Sequence, residues 1–89
     1  MNHHVVWHPA AFDVMQAVVR AHPQHRTYLA GVLAEISAAL RTHPDEVGES
    51  REEEHDRVGF FGPFTLWFRV LSADRRVEVL RVQLTTLLL

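Results

Sequence analysis

Apolar and polar residues alternate with a period of two along Phe64-Thr65-Leu66-Trp67-Phe68-Arg69-Val70-Leu71. A second run, Val77-Glu78-Val79-Leu80-Arg81-Val82, is similarly rich in β-branched residues, and the polar tip Ser72-Ala73-Asp74-Arg75 lies between the two. Two such arms around a short polar tip predict a β-hairpin. Successive side chains of a strand point to opposite faces, so Phe64, Leu66, Phe68 and Val70 share one face of the first arm. Thr65, Trp67, Arg69 and Leu71 share the other. On the second arm, strict alternation places Val77, Val79 and Arg81 on one face and Glu78, Leu80 and Val82 on the other.

Upstream the period changes. The short apolar stretch His3 to Trp7 predicts a strand, and Pro9 ends it. Proline fits the first turn of a helix, where its missing N–H leaves no bond unmade. Phe12, Met15, Val18 and Val19 then recur at helical spacing, predicting an amphipathic helix over residues 10–21. Pro23 interrupts it, and a second helix is predicted over residues 24–42. Tyr28, Val32, Ile36 and Leu40 form the stripe of that helix, and Leu29 and Leu33 widen it. Gly31 weakens the second helix locally and is read as a point of close approach to the first. Pro44 ends it, and the short joint predicts an antiparallel αα-hairpin. Residues 43–57 read as an exposed loop or a weak edge strand, and Phe60-Phe61-Gly62-Pro63 as a turn. The expected architecture is α+β: an N-terminal strand, an antiparallel αα-hairpin, then a C-terminal antiparallel sheet, with an extra strand near residues 51–58.

A length of 89 residues suits one domain, spanning residues 1–89, with one modest core. The chain has no cysteine, which excludes disulfides, thiolate metal sites and cysteine nucleophiles. No signal-peptide pattern opens it and no apolar run approaches the roughly 20 residues that span a bilayer, so no membrane partner and a cytoplasmic location are expected. The formal charge of −2 is unevenly spread. Asp45, Glu46, Glu49, Glu52, Glu53, Glu54 and Asp56 face Arg51 alone, while the rest of the chain is net positive. All nine basic residues are arginine. Arginine suits forked recognition of carboxylates and phosphates, although the chain lacks the basic excess of a general nucleic-acid binder. Seven histidines suggest a metal, but His22 and His25 straddle Pro23, and His3 and His4 point to opposite sides of a strand. Zinc needs three or four convergent ligands, so neither a metal nor a cofactor is expected. His8 and His55 have the residue type for acid–base work by position alone.

With these residues in this order, the chain resembles the RelE/ParE superfamily of toxin–antitoxin toxins. Val5-Val6-Trp7-His8-Pro9-Ala10-Ala11 is similar to that family's first strand and helix start, and Gly48-Glu49-Ser50-Arg51 to the Gly-and-Arg stretch before its sheet. Phe64 to Val70 sits where the family carries its aromatic–Arg strand, and Val77 to Val82 is similar to the strand that follows. The resemblance implies a growth-inhibiting toxin that acts on translation, by ribosome-dependent mRNA cleavage, or on DNA gyrase, with a cognate antitoxin as partner. Thr65 occupies the arginine position of the strand pattern, and Gln83, Leu84, Thr85 and Thr86 replace the basic stretch after the last strand. RNA cleavage through the 2′-hydroxyl requires a base, an acid and a cation for the phosphate, so no catalytic residue is assigned. The alternative is an inert, toxin-derived protein-interaction domain.

Four arginines are candidates for binding a target or partner: Arg51, Arg57, Arg69 and Arg81. A symmetric hairpin tip sets Arg69 opposite Glu78 and Arg81 opposite Leu66, on different faces, with Arg69–Glu78 as the expected pair. An extra turn residue or a bulge would bring both arginines to one face as a cationic patch. Arg51 and Arg57 either contact a target or pair with the acidic residues around them. The tail from Leu84 to Leu89 either extends the last strand or forms an apolar patch that a partner covers.

Overall fold

The computed structural model describes residues 2–51 and 55–86. Glu52 to Glu54 of the acidic run and Leu87 to Leu89 of the tail lie outside the described residues.

Strand β1 (His4–Trp7) leads through His8 into helix α1 (Pro9–Ala21), with His8 as an extended N-cap and Pro9 at the first helical position. A single 3₁₀ turn, Pro23–His25, joins α1 to helix α2 (Arg26–Thr42). Leu29, Val32, Ile36 and Leu40 are the buried stripe of α2, and Ala11 and Met15 are the buried residues of α1. Two large residues assigned to these stripes lie off them. Phe12 is 49% exposed and Tyr28 is 50% exposed, because the buried positions are their neighbours Ala11 and Leu29. Gly31 is not a point of helix contact: a methyl group there would meet nothing within 4 Å. Both helices pack on the sheet and leave an apolar groove between them, lined by Trp7, Phe12, Met15 and Leu33 among others.

The region expected as loop or weak edge contributes strand β2 (Glu49–Ser50) and the start of strand β3 (Asp56–Phe61). Phe60 and Phe61 belong to β3, so the turn shrinks to Gly62-Pro63 before strand β4 (Phe64–Leu71). A 3₁₀ turn, Ser72–Asp74, closed by Arg75 in the left-handed region (φ 48), reverses the chain into strand β5 (Arg76–Leu84). The tip is where the alternation places it. Thr85 and Thr86 donate their N–H groups to the Pro63 carbonyl, which ties the end of β5 to the β3–β4 turn.

The five strands form one sheet in the order β1-β5-β4-β3-β2. β1 runs parallel to β5, and the remaining pairs are antiparallel. One face is covered by the helices. Phe64, Leu66, Phe68 and Val70 of β4 and Val77, Val79 and Val82 of β5 meet Ala11, Met15, Leu29, Val32, Ile36 and Leu40 there. Among the described residues, no helix covers the other face. A sheet covered on one side accounts for the alternation along β4. No helix among the described residues is long and apolar enough to cross a membrane.

The register contains one irregularity, and it decides the character of the open face. Phe68 pairs with Val79, but Trp67 pairs with Arg81, so Leu80 is an extra residue in β5. This β-bulge returns Val82 to the core, at 4% exposure, and turns Arg81 outward. The strictly alternating register fails because it would have buried Arg81 and exposed Val82.

Candidate functional site

Directly paired residues of neighbouring strands share a face, so the open side of the sheet reads as rows across β3, β4 and β5. The rows are Asp56–Arg69–Glu78, Val58–Trp67–Arg81 and Phe60–Thr65–Gln83.

The first row is charged and largely self-neutralised. Arg69 donates from Nε to Asp56 Oδ1 at 2.7 Å and from a terminal nitrogen to Oδ2 at 3.4 Å. Arg69 does stand opposite Glu78, as a symmetric tip requires, yet the carboxylate it grips is Asp56 on the other neighbouring strand. Glu78 pairs instead with Arg76 at 3.1 Å, and His8 Nε2 lies 3.5 Å from it. Half-exposed pairs of this kind are worth under about 1 kcal/mol, so they arrange charge more than they stabilise the fold.

The second row is aromatic and cationic. The Arg81 guanidinium carbon lies over the Trp67 ring, 4.6 Å from its centroid. A guanidinium over an indole face is held by the ring quadrupole and keeps its N–H edge available. One N–H donates to Gln83 Oε1 at 3.3 Å. Val58, only 8% exposed, fills the position beside Trp67.

The third row holds Phe60, 70% exposed and the most exposed large apolar side chain of the described residues. Thr65 beside it is 5% exposed and shares a hydrogen bond with Thr85 at 3.1 Å. The residue in the resemblance's arginine position is therefore a packed structural threonine.

Of the four candidate arginines, strand pairing sets Arg69 and Arg81 on this face. The Leu80 bulge places them together, which is the alternative a regular hairpin excluded. Arg57 pairs with the core-side position Phe68 and serves the edge of the sheet. Its guanidinium donates to Val47 O at 2.8 Å, Gly48 O at 3.0 Å and Ser50 Oγ at 3.0 Å. This fork clasps the 47–50 segment; of the acids expected to pair with Arg57, Glu52 to Glu54 lie outside the described residues and Asp56 is held by Arg69. Lysine cannot reproduce the fork. Arg57→Lys is expected to lower unfolding free energy by about 1 kcal/mol in urea titration, with Arg57→Ala no worse than about twice that. An unchanged midpoint for both would show that the clasp contributes nothing. Arg51 lies in the β2–β3 connection, its backbone N–H donating to Asp56 O at 2.8 Å. His55 enters through its backbone carbonyl, which accepts from the Val70 N–H.

Phe60, Trp67 and Asp56 were not singled out as site residues from the sequence. One signal was available. Val77-Glu78-Val79 and Arg81-Val82-Gln83-Leu84 alternate in opposite phase about Leu80, and a phase jump in a strand marks a bulge.

A five-stranded α+β sheet with both helices on one face and an aromatic–arginine platform on the other defines the architectural class. No protein-family model matches the chain, and no curated sequence does either. Solved structures that share its fold include chains of two toxin–antitoxin systems. A chain of the toxin–antitoxin complex RelBE2 from Mycobacterium tuberculosis aligns with a TM-score of 0.71 at 21% identity, covering 93% of this chain and 91% of that one. A chain of the chromosomal ParDE TA system from P. aeruginosa aligns with a TM-score of 0.71 at 18% identity, covering 91% of this chain and 94% of that one. The chain thus has the RelE/ParE-like fold that its sequence order implied.

Proposed function

We propose that residues 1–89 form one RelE/ParE-like domain that acts as the toxin of a type II toxin–antitoxin pair, inhibits growth in the cytoplasm and is neutralised by a cognate antitoxin. It acts by gripping its target through the open face, and DNA gyrase is the target that this chemistry favours over mRNA. The observation that carries this reading is the state of the face's polar groups. Arg69 is bound to Asp56, and Thr65 is packed against Thr85. A cleaving site needs a base, an acid and a cation converging on one phosphate. The Phe60, Trp67 and Arg81 platform instead has the composition of a binding hot spot, rich in aromatics and arginine.

Induced expression in a bacterium is expected to arrest growth, with relief by co-expression of the adjoining gene. Purified protein is expected to inhibit gyrase supercoiling and to leave mRNA on translating ribosomes uncut. Codon-positioned cuts would replace the gyrase reading with the nuclease one, and normal growth would favour the inert interaction domain. The double variant Phe60→Ala/Arg81→Gln is expected to abolish arrest while moving the thermal midpoint by only a few degrees, since both side chains are exposed. Full toxicity of that variant would remove the open face from the mechanism.

A further inference from the structure

The groove between α1 and α2 is apolar at one end and cationic at the other. Phe12, Met15 and Val19 line it from α1 at steps of three and four residues, and Leu33 lines it from α2. Trp7, at the end of β1 just before α1, stands at the Phe12 end. Arg20 stands two turns further along α1, with Gln16 one turn before it, and Ser37 lies on the α2 rim. The volume of about 580 Å³ is that of a small-molecule site. From Phe12 to Arg20 the helix rises about 12 Å. Spread over that length, the volume corresponds to a channel about 8 Å across, too narrow for an α-helix with its side chains at roughly 10 Å.

We propose that this groove binds a medium-chain fatty carboxylate, with its head group on Arg20 and Gln16 and its chain laid along Val19, Met15 and Leu33 toward Phe12 and Trp7. Three observations converge on that ligand. Arg20 is the one charged residue lining the groove, and no carboxylate of the described residues pairs with it. A guanidinium fork matches a carboxylate in charge and in shape. Phe12 is 49% exposed on the groove wall, and an alkyl chain laid against it removes that surface from water. The length also matches: with carbon–carbon bonds of about 1.5 Å, an extended chain of about ten carbons spans the 12 Å between the two ends. A bare inorganic anion would leave the apolar wall wet, and a neutral lipid would leave Arg20 without a counter-charge. The groove lies on the helical side of the sheet, away from the Phe60, Trp67 and Arg81 platform, so the proposal does not depend on the chain being a toxin.

The test uses the full chain, ¹⁵N-labelled, titrated with decanoate below the concentration at which it forms micelles. Saturable shifts are expected at the amides of Phe12, Gln16, Val19, Arg20, Leu33 and Ser37. Decylamine, with the same chain length and the opposite charge, is expected to bind at least about tenfold more weakly. Hexanoate is also expected to bind at least about tenfold more weakly, since four fewer CH₂ groups leave water. Arg20→Gln, at an exposed position, is expected to weaken decanoate at least about fivefold and to leave the binding of 1-decanol unchanged. Ser37→Phe, also exposed, fills the groove and should weaken both ligands without unfolding the protein. Absence of groove shifts with millimolar decanoate, or shifts centred on Phe60 and Trp67, would overturn the proposal. So would equal binding of decylamine or hexanoate, or undiminished decanoate binding by either variant. Groove shifts produced by a capped helical Leu/Glu peptide and not by decanoate would assign the site to a protein segment and overturn it as well.

Discussion

Replacing Phe68 with alanine is expected to lower the unfolding free energy by about 4 kcal/mol, the largest effect of any single truncation considered for this chain. Phe68 is completely buried at the centre of β4, with Val79 across the ladder and the helices above it. Its loss removes the transfer free energy of the ring and leaves a cavity that the flanking strands cannot close. Net stability of a small domain is typically 5–15 kcal/mol, so the variant should approach the folding limit at 37 °C. Phe60→Ala is the matched control: the same chemistry on β3, pointing to the open face at 70% exposure, with an expected change within about 0.5 kcal/mol. Urea denaturation of both variants checks the assignment of the two faces. Comparable losses at the two positions would mean that the faces are wrongly assigned.

Gly48→Ala is expected to cost about 3 kcal/mol, through the backbone alone. Gly48 has φ +63, in the left-handed region, and a methyl group there would collide with the Val58 carbonyl and lie 2.7 Å from Gly59 Cα. These neighbours are main chain within the β2–β3 ladder and cannot rotate aside. Relief requires the 47–50 segment to lift away, which also breaks the Arg57 clasp on Val47 and Gly48. For a domain of this size the midpoint of thermal unfolding should fall by roughly 10–20 °C. Gly31→Ala should do the reverse. That glycine lies exposed in α2 with open space around it, and alanine there is expected to stabilise by about 1 kcal/mol. Calorimetry of the two variants should therefore give shifts of opposite sign. Two shifts of the same sign would contradict the local geometry at one of the positions.

Most of the architecture was legible because hydrophobic periodicity is a local signal. The strand His4–Trp7, expected over His3 to Trp7, the proline-started α1, the stripe of α2 and the two arms of the terminal hairpin each declare themselves within a dozen residues. Errors fell where a neighbouring element decides burial. Phe12 and Tyr28 match helical spacing as well as Ala11 and Leu29 do, and only the direction of the sheet beneath α1 and α2 selects between them. Size favoured the aromatic residues, and packing chose the small and the aliphatic ones. The limits of β3 escaped for a similar reason, since Phe60-Phe61-Gly62-Pro63 carries the residues of a turn while Phe60 and Phe61 are held by pairing with Thr65 and Phe64.

The candidate site was legible in its residue types and not in its arrangement. By itself the sequence determined the order of elements, the buried face of β4 and the absence of thiol chemistry. These follow from side-chain chemistry and from short-range periodicity. Tertiary structure decided which face Arg81 occupies, which carboxylate holds Arg69 and what Arg57 does. Each depends on a contact between residues brought together by strand pairing: the Leu80 bulge against Phe68, Asp56 beside Arg69, and the Val47 and Gly48 carbonyls within reach of Arg57. A one-residue slip in register reverses every side chain beyond it, and the energy that selects the register is the burial of Val82 and Leu84 under α1. That term belongs to the packed sheet and helices together, and no stretch of β5 alone contains it.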